Sequence, residues 1–168
     1  MTTERIRPPS IAGEREMLRS FLDHHRATLA MKCDDLSDEE LRRQASPPST
    51  LSLLGLVRHL ADVERTWFRI FINGESLPLV WSDERDYQVA YDATGATRAE
   101  AFAAWQAEVE HSRRIELAAE SLDVTGYNSR WEEEVSLRMV MLYLIQEYAR
   151  HNGHADLLRQ AVDGTVGV

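Results

Sequence analysis

One cysteine, Cys33, and one lysine, Lys32, occur among the 168 residues. A single cysteine closes no internal disulfide. The fold must therefore be held by its core, and a reducing cytoplasm is the expected compartment. No apolar run approaches the roughly 18 residues that a membrane span requires. The stretch Met1 to Ser10 lacks the apolar segment of a signal peptide. Basic charge is scarce as well: 19 Lys and Arg stand against 28 Asp and Glu, a net charge of −9. That balance argues against nucleic acid, whose phosphates are neutralised by Lys and Arg, and against an anionic membrane surface. There is no Gly-rich phosphate loop, no His-Glu-x-x-His zinc motif and no Gly-x-Ser-x-Gly elbow. A di-iron bundle would need two Glu-x-x-His motifs, a pair the chain does not have.

What is present is helical patterning. Residues 1–168 read as one domain, long enough to bury a real core. Apolar periodicity predicts helices over Ser10–Cys33, Ser52–Ile72, Thr97–Ser121 and Ser136–Val162, with a short turn of helix at Ser37–Gln44. Capping residues agree: Ser37 and Thr97 each stand three residues before a glutamate, and Asn73-Gly74 and Asp163-Gly164 are stop signals. Pro47-Pro48-Ser49 breaks the chain. With no clear strand, the expected fold is all-α, a four-helix bundle. The links Gly74–Gly95 and Leu122–Val135 are long for a compact bundle. They carry Trp81, Tyr87, Tyr91, Tyr127 and Trp131, so ordered loops covering one bundle end are expected. The tract Glu132-Glu133-Glu134 reads as a solvated acidic lead into the last helix.

The chemistry concentrates in the run Gln146-Glu147-Tyr148-Ala149-Arg150-His151-Asn152-Gly153-His154-Ala155-Asp156. Glu147 and His151 are four apart and His151 and His154 three apart, which on a helix puts neighbours about 5–6 Å apart at Cβ. Projected at 100° per residue, His151 falls inside the apolar arc of Leu137, Val140, Leu144, Tyr148, Ala155 and Leu158, with Glu147 and His154 at its border. On the second helix His59 lies at the edge of the arc of Leu56, Leu60, Val63, Trp67 and Ile70. Each histidine alone reads more readily as a hydrogen-bonded core residue than as a ligand. Together, two inward imidazoles and a carboxylate are costly to bury without a partner, and a divalent cation is one. Three ligands with an open position make a catalytic rather than a structural site. Zinc, nickel, manganese and iron all accept such donors. His24-His25 and His111 sit among charged residues, and Cys33 has no histidine beside it to activate a thiolate.

At these residues the chain resembles the DinB-like (YfiT-like) superfamily of metalloenzymes, in a branch related to the N-terminal domain of mycothiol-dependent maleylpyruvate isomerase. The segments that carry the resemblance are Ser52-Leu53-Leu54-Gly55-Leu56-Val57-Arg58-His59-Leu60-Ala61-Asp62-Val63-Glu64, the run from Glu147 through Arg159, and the ending Asp163-Gly164-Thr165-Val166-Gly167. The resemblance implies an up-down-down-up bundle holding one divalent metal, zinc or nickel first, through His59, Glu147 and His151. Glu147 replaces a histidine found in many members, which adds negative charge and weakens the metal as a Lewis acid. His154 then faces substrate, supports a ligand, or replaces Glu147. Known activities imply a thiol S-transferase that uses a low-molecular-weight thiol of the mycothiol or bacillithiol type on a small electrophile. Arg58, Tyr148 and Arg150 are candidate substrate contacts alongside His154, or else ordinary structural partners. A metal-dependent hydrolase and a non-catalytic metal-binding bundle are the alternatives, and a homodimer is a further expectation from the same likeness.

Overall fold

The computed structural model describes residues 4–167. The first three residues of the Met1–Ser10 stretch, and the last residue of the chain, lie outside them. Helix α1 spans Glu14–Lys32, α2 Asp38–Arg42, α3 Leu53–Glu64, α4 Arg98–Ala118 and α5 Leu137–Asp163. Side-chain hydroxyls cap four of the five N-termini: Ser37, Ser52, Thr97 and Ser136 each accept from a backbone N–H three residues on. Each such cap satisfies one of the donors a helix start leaves open. Helix α5 stops at Gly164, whose φ of +82° suits a residue without Cβ.

Contacts between helices fix their directions. Glu14 pairs with Arg138, Asn152 donates to the carbonyl of His25, and Lys32 pairs with Asp156, so α1 and α5 run parallel. Arg15 reaches Ala119 and Asp23 reaches Arg113, so α1 and α4 run antiparallel. His59 faces Glu147 while Trp67 faces Tyr143, so α3 and α5 run antiparallel. The order is up-down-down-up, as the family likeness implies. Parallel neighbours α3 and α4 need a long crossover, and residues 73–97 supply it. Leu54, Leu56, Leu60, Phe68, Leu137, Met141, Leu144 and Leu29 fill the core between them.

Two features depart from the sequence expectation. The expected single helix Ser52–Ile72 changes register after Glu64: residues Arg65–Ile72 form a π-helical segment, in which the Asn73 N–H bonds back to the Phe68 carbonyl. The extra residue per turn shifts the phase. Phe71 therefore takes the buried position, and Ile70, assigned to the core by 3.6 spacing, is only half-buried. The second departure is a hairpin. Strands β1 (Thr125–Asn128) and β2 (Glu133–Ser136) pair antiparallel, with Gly126 opposite Val135. Glu133 and Glu134 thus stand on a strand rather than in a helix lead, though both remain exposed.

The crossover is clamped to α3. Asp62 is fully buried and its Oδ1 accepts from the Val80 N–H at 2.6 Å. The Trp81 Nε1–H donates to the Arg58 carbonyl at 2.9 Å, and the Arg58 guanidinium lies 4.0 Å over the Trp81 ring. Burial pushes the Asp62 carboxyl from 3.8 up to about 6, against the lowering hydrogen bonds from Val80 and Trp81. The folded protein therefore holds this proton across a range where the unfolded chain has lost it. Stability falls as pH rises between those two values, by up to ~3 kcal/mol at about 1.4 kcal/mol per unit. Asp62→Asn keeps an acceptor for Val80 and removes the dependence. Urea unfolding should show the variant gaining on wild type from about pH 4 to about pH 7. A constant difference over that range would contradict the assignment.

Candidate metal centre

His59 on α3 and Glu147 and His151 on α5 meet at one point. Glu147 Oε1 lies 3.1 Å from His59 Nε2 and 3.0 Å from His151 Nε2. One donor atom from each of the three residues lies within 4.8 Å of the other two. His151 is buried, His59 nearly so, and Glu147 keeps partial exposure on the cavity side. Helix periodicity delivers the pair on α5; the antiparallel packing of α3 on α5 delivers the third member.

The electrostatics suit a cation. Hydrogen bonds from His151 first, then His59, hold the Glu147 carboxyl well below the usual carboxylate range, against the desolvation that would raise it. Burial, partly offset by the Glu147 hydrogen bond, makes the His151 imidazole harder to protonate. An anionic oxygen and a neutral imidazole are the forms that bind metals. Tetrahedral zinc sites take N and O ligands at about 2.0–2.2 Å, so ligand atoms spaced near 3 Å can share one ion. The donor set fits a divalent metal.

The surroundings orient the ligands by different means. His154 Nδ1 lies 3.3 Å from His151 Nδ1, so the ring nitrogen facing away from the cluster has a partner. His59 Nδ1 is buried without any hydrogen-bond partner, and its ring instead stacks on Tyr91 at 4.5 Å with a 17° interplanar angle. Gly55, one turn before His59, makes room for this: a Cβ there would sit 2.8 Å from the Tyr91 carbonyl oxygen.

Above the cluster opens a cavity of about 540 Å³. The crossover supplies Arg85, Tyr87 and Tyr91, the π segment Thr66, Trp67 and Phe71, the hairpin loop Arg130 and Trp131, and α5 Tyr143 and Arg150. Trp67 packs against Tyr143 at 4.2 Å and against Trp131 at 5.2 Å, which joins hairpin, π segment and α5 into one wall.

Of the four residues singled out in the sequence for substrate contact, the structure brings Arg150 to the cavity and places His154 behind His151. Arg58 and Tyr148 are elsewhere. Arg58 is spent on the crossover clamp, donating to the Ala90 carbonyl and stacking on Trp81. Tyr148 is fully buried; its hydroxyl donates to Glu64 at 2.7 Å and accepts from Trp105 at 2.8 Å. Arg85, Arg130 and Thr66 also line the cavity, and no motif in the sequence singles them out. Only the aromatic residues of the two long links hinted at them.

Comparison with known proteins follows the same lines. The model of the mycothiol-S-transferase family matches residues 17–164. YfiT from Bacillus subtilis, described as a probable metal-dependent hydrolase with an unusual four-helix bundle topology, superposes with a TM-score of 0.64 at 15% identity over 93% of both chains. A conserved protein from Enterococcus faecalis superposes with a TM-score of 0.65 at 16% identity, covering 92% of this chain and all of the other. No curated protein matches the sequence.

Proposed function

The chain belongs to the mycothiol-S-transferase family, and on that basis we propose that it is a metal-dependent enzyme that transfers a low-molecular-weight thiol of the mycothiol type to a small electrophile. The observation that carries the proposal is the meeting of His59, Glu147 and His151 from two helices at the floor of a cavity. These three residues would hold the metal, leaving the cavity side open. Bound there, a divalent metal supplies a Lewis acid at which a thiol loses its proton, and a thiolate is the nucleophile such transfers need.

The chain's own groups have separable roles. Glu147 contributes the negative charge that a neutral three-histidine site lacks. His151 directs one nitrogen at the site while its other nitrogen is fixed by His154, as metal-bound imidazoles usually are. Tyr91 holds the His59 ring by its face. The aromatic wall of Trp67, Tyr143 and Trp131 keeps water from one side of the reacting atoms.

Metal analysis of protein purified without an affinity tag tests the centre. About one equivalent is expected, lost in both His59→Ala and His151→Ala. His154→Ala should retain the site with affinity lowered about 10–100-fold. Turnover is then followed with a thiol and 1-chloro-2,4-dinitrobenzene, where a C–S bond forms and chloride leaves. Metal content unchanged in both histidine variants would sink the centre. Thiol-independent cleavage of esters, with no thiol transfer, would replace transfer by hydrolysis.

A further inference from the structure

Three arginines face a cavity whose floor is the proposed metal centre, in a chain of net charge −9. Arg150 is already engaged, with one nitrogen 3.9 Å from Glu147. Arg85 and Arg130 are different. Both are exposed, and neither has a carboxylate partner among the described residues; the Arg130 guanidinium stands 5.7 Å over the Tyr87 ring. Other arginines on cavity-forming elements are paired: Arg65 and Arg69 are spent on Glu108, and Arg69 also on Glu75. Two cations from two separate links, the crossover and the hairpin loop, thus line one cavity, with the Asp86 carboxylate beside Arg85 in the same lining.

A second observation points the same way. Thr66 is 3% exposed, lines the cavity, and its Oγ1 has no hydrogen-bond partner. Buried hydroxyls are nearly always paired. The rings of Trp67, Tyr143, Trp131 and Tyr87 line the same cavity, a surface that suits flat apolar matter.

We propose that the cavity takes a small molecule with an anionic end, carboxylate or phosphate, held by Arg85 and Arg130, and a flat unsaturated or aromatic body laid along the tryptophan and tyrosine rings. As the electrophile of the transfer this assignment rests on the function proposed above; as a binding site it does not. Guanidinium groups grip both anions through paired N–H donors. The geometry puts the anion at the mouth and the body toward the metal centre, where a thiolate would meet it.

The test is direct binding, read by quenching of tryptophan emission, since Trp67 and Trp131 line the cavity. Benzoate, phenyl phosphate and benzamide are titrated into wild-type protein and into the double variant Arg85→Gln, Arg130→Gln, each metal-loaded and metal-stripped. Both replaced residues are exposed loop positions, so folding is not at risk. Benzoate or phenyl phosphate should bind about 10- to 100-fold more tightly than benzamide, the range expected for charge-assisted contacts. The preference should survive metal removal and disappear in the double variant. Whichever anion binds more tightly identifies the class. Equal binding of benzamide, or a preference untouched by the double substitution, overturns the proposal. A preference seen only with metal present means the anion sits on the metal, and also overturns it. Because no thiol is added, an anion site without thiol-dependent turnover would refute the transfer reaction and leave this inference standing.

Discussion

Glu64→Ala is expected to lower the unfolding free energy by about 3–5 kcal/mol, the range for breaking one side of a buried ion pair. Glu64 is fully buried and Arg26 is 4% exposed. The guanidinium grips both carboxylate oxygens, at 2.8 and 2.7 Å. Tyr148 donates to the same carboxylate, and Trp105 donates to the Tyr148 hydroxyl. Arg26 lies on α1, Glu64 on α3, Trp105 on α4 and Tyr148 on α5, so one polar chain ties all four long helices. Burial opposes the charge on Arg26, but Glu64 overrides it and raises the guanidinium pKa. Remove Glu64 and a cation that cannot shed its proton is left in the core. Tyr148→Phe should cost less, about 1–3 kcal/mol, because it strands the Trp105 N–H and one carboxylate site. A double-mutant cycle with Arg26→Met and Glu64→Leu separates pair from packing. The double variant should be far more stable than the sum of its singles, since replacing both charges by apolar groups is often neutral. A Glu64→Ala cost below about 1 kcal/mol would show that the pair contributes little.

The second large effect is expected at Gly126. A Cβ built there would stand 2.0 Å from the Phe71 carbonyl oxygen and 2.6 Å from the Ile72 Cα. Both are backbone atoms of the π segment, so no side chain can swing away. Gly126→Ala must push β1 off the helix, at a cost of about 1–3 kcal/mol or more for forced overpacking. The same displacement carries Arg130 and Trp131 away from the cavity mouth. Thermal unfolding should report the loss of stability, and the emission of Trp67 and Trp131 should change as their 5.2 Å contact opens. Gly153→Ala serves as the opposite control: it lies inside α5 with nothing within 4 Å, so alanine should stabilise by about 0.5–1 kcal/mol. If Gly126→Ala melts like wild type with unchanged emission, the hairpin does not rest on the π segment as described.

The opposite signs expected at these two glycines show where sequence reading reaches its limit. Helical patterning alone predicts the gain at Gly153, whereas only the approach of a distant backbone predicts the loss at Gly126. The same holds for Arg58 and Arg150. Each neighbours a proposed ligand in the sequence and each looked equally fit for substrate. One is consumed by Trp81 and Ala90, the other borders the cavity.

By itself the sequence determined the four long helical segments, the caps at Ser37 and Thr97, and the inward aim of His59, Glu147 and His151. All of these follow from spacing within a few residues, where helix geometry leaves one outcome. Tertiary structure alone decided the π register after Glu64, the hairpin at residues 125–136, the burial of Tyr148 in a polar chain, and the arrival of Arg85, Arg130 and Thr66 around one cavity. These depend on contacts between segments tens of residues apart, where packing space and unpaired polar groups outweigh local preference, and no period in the chain encodes them.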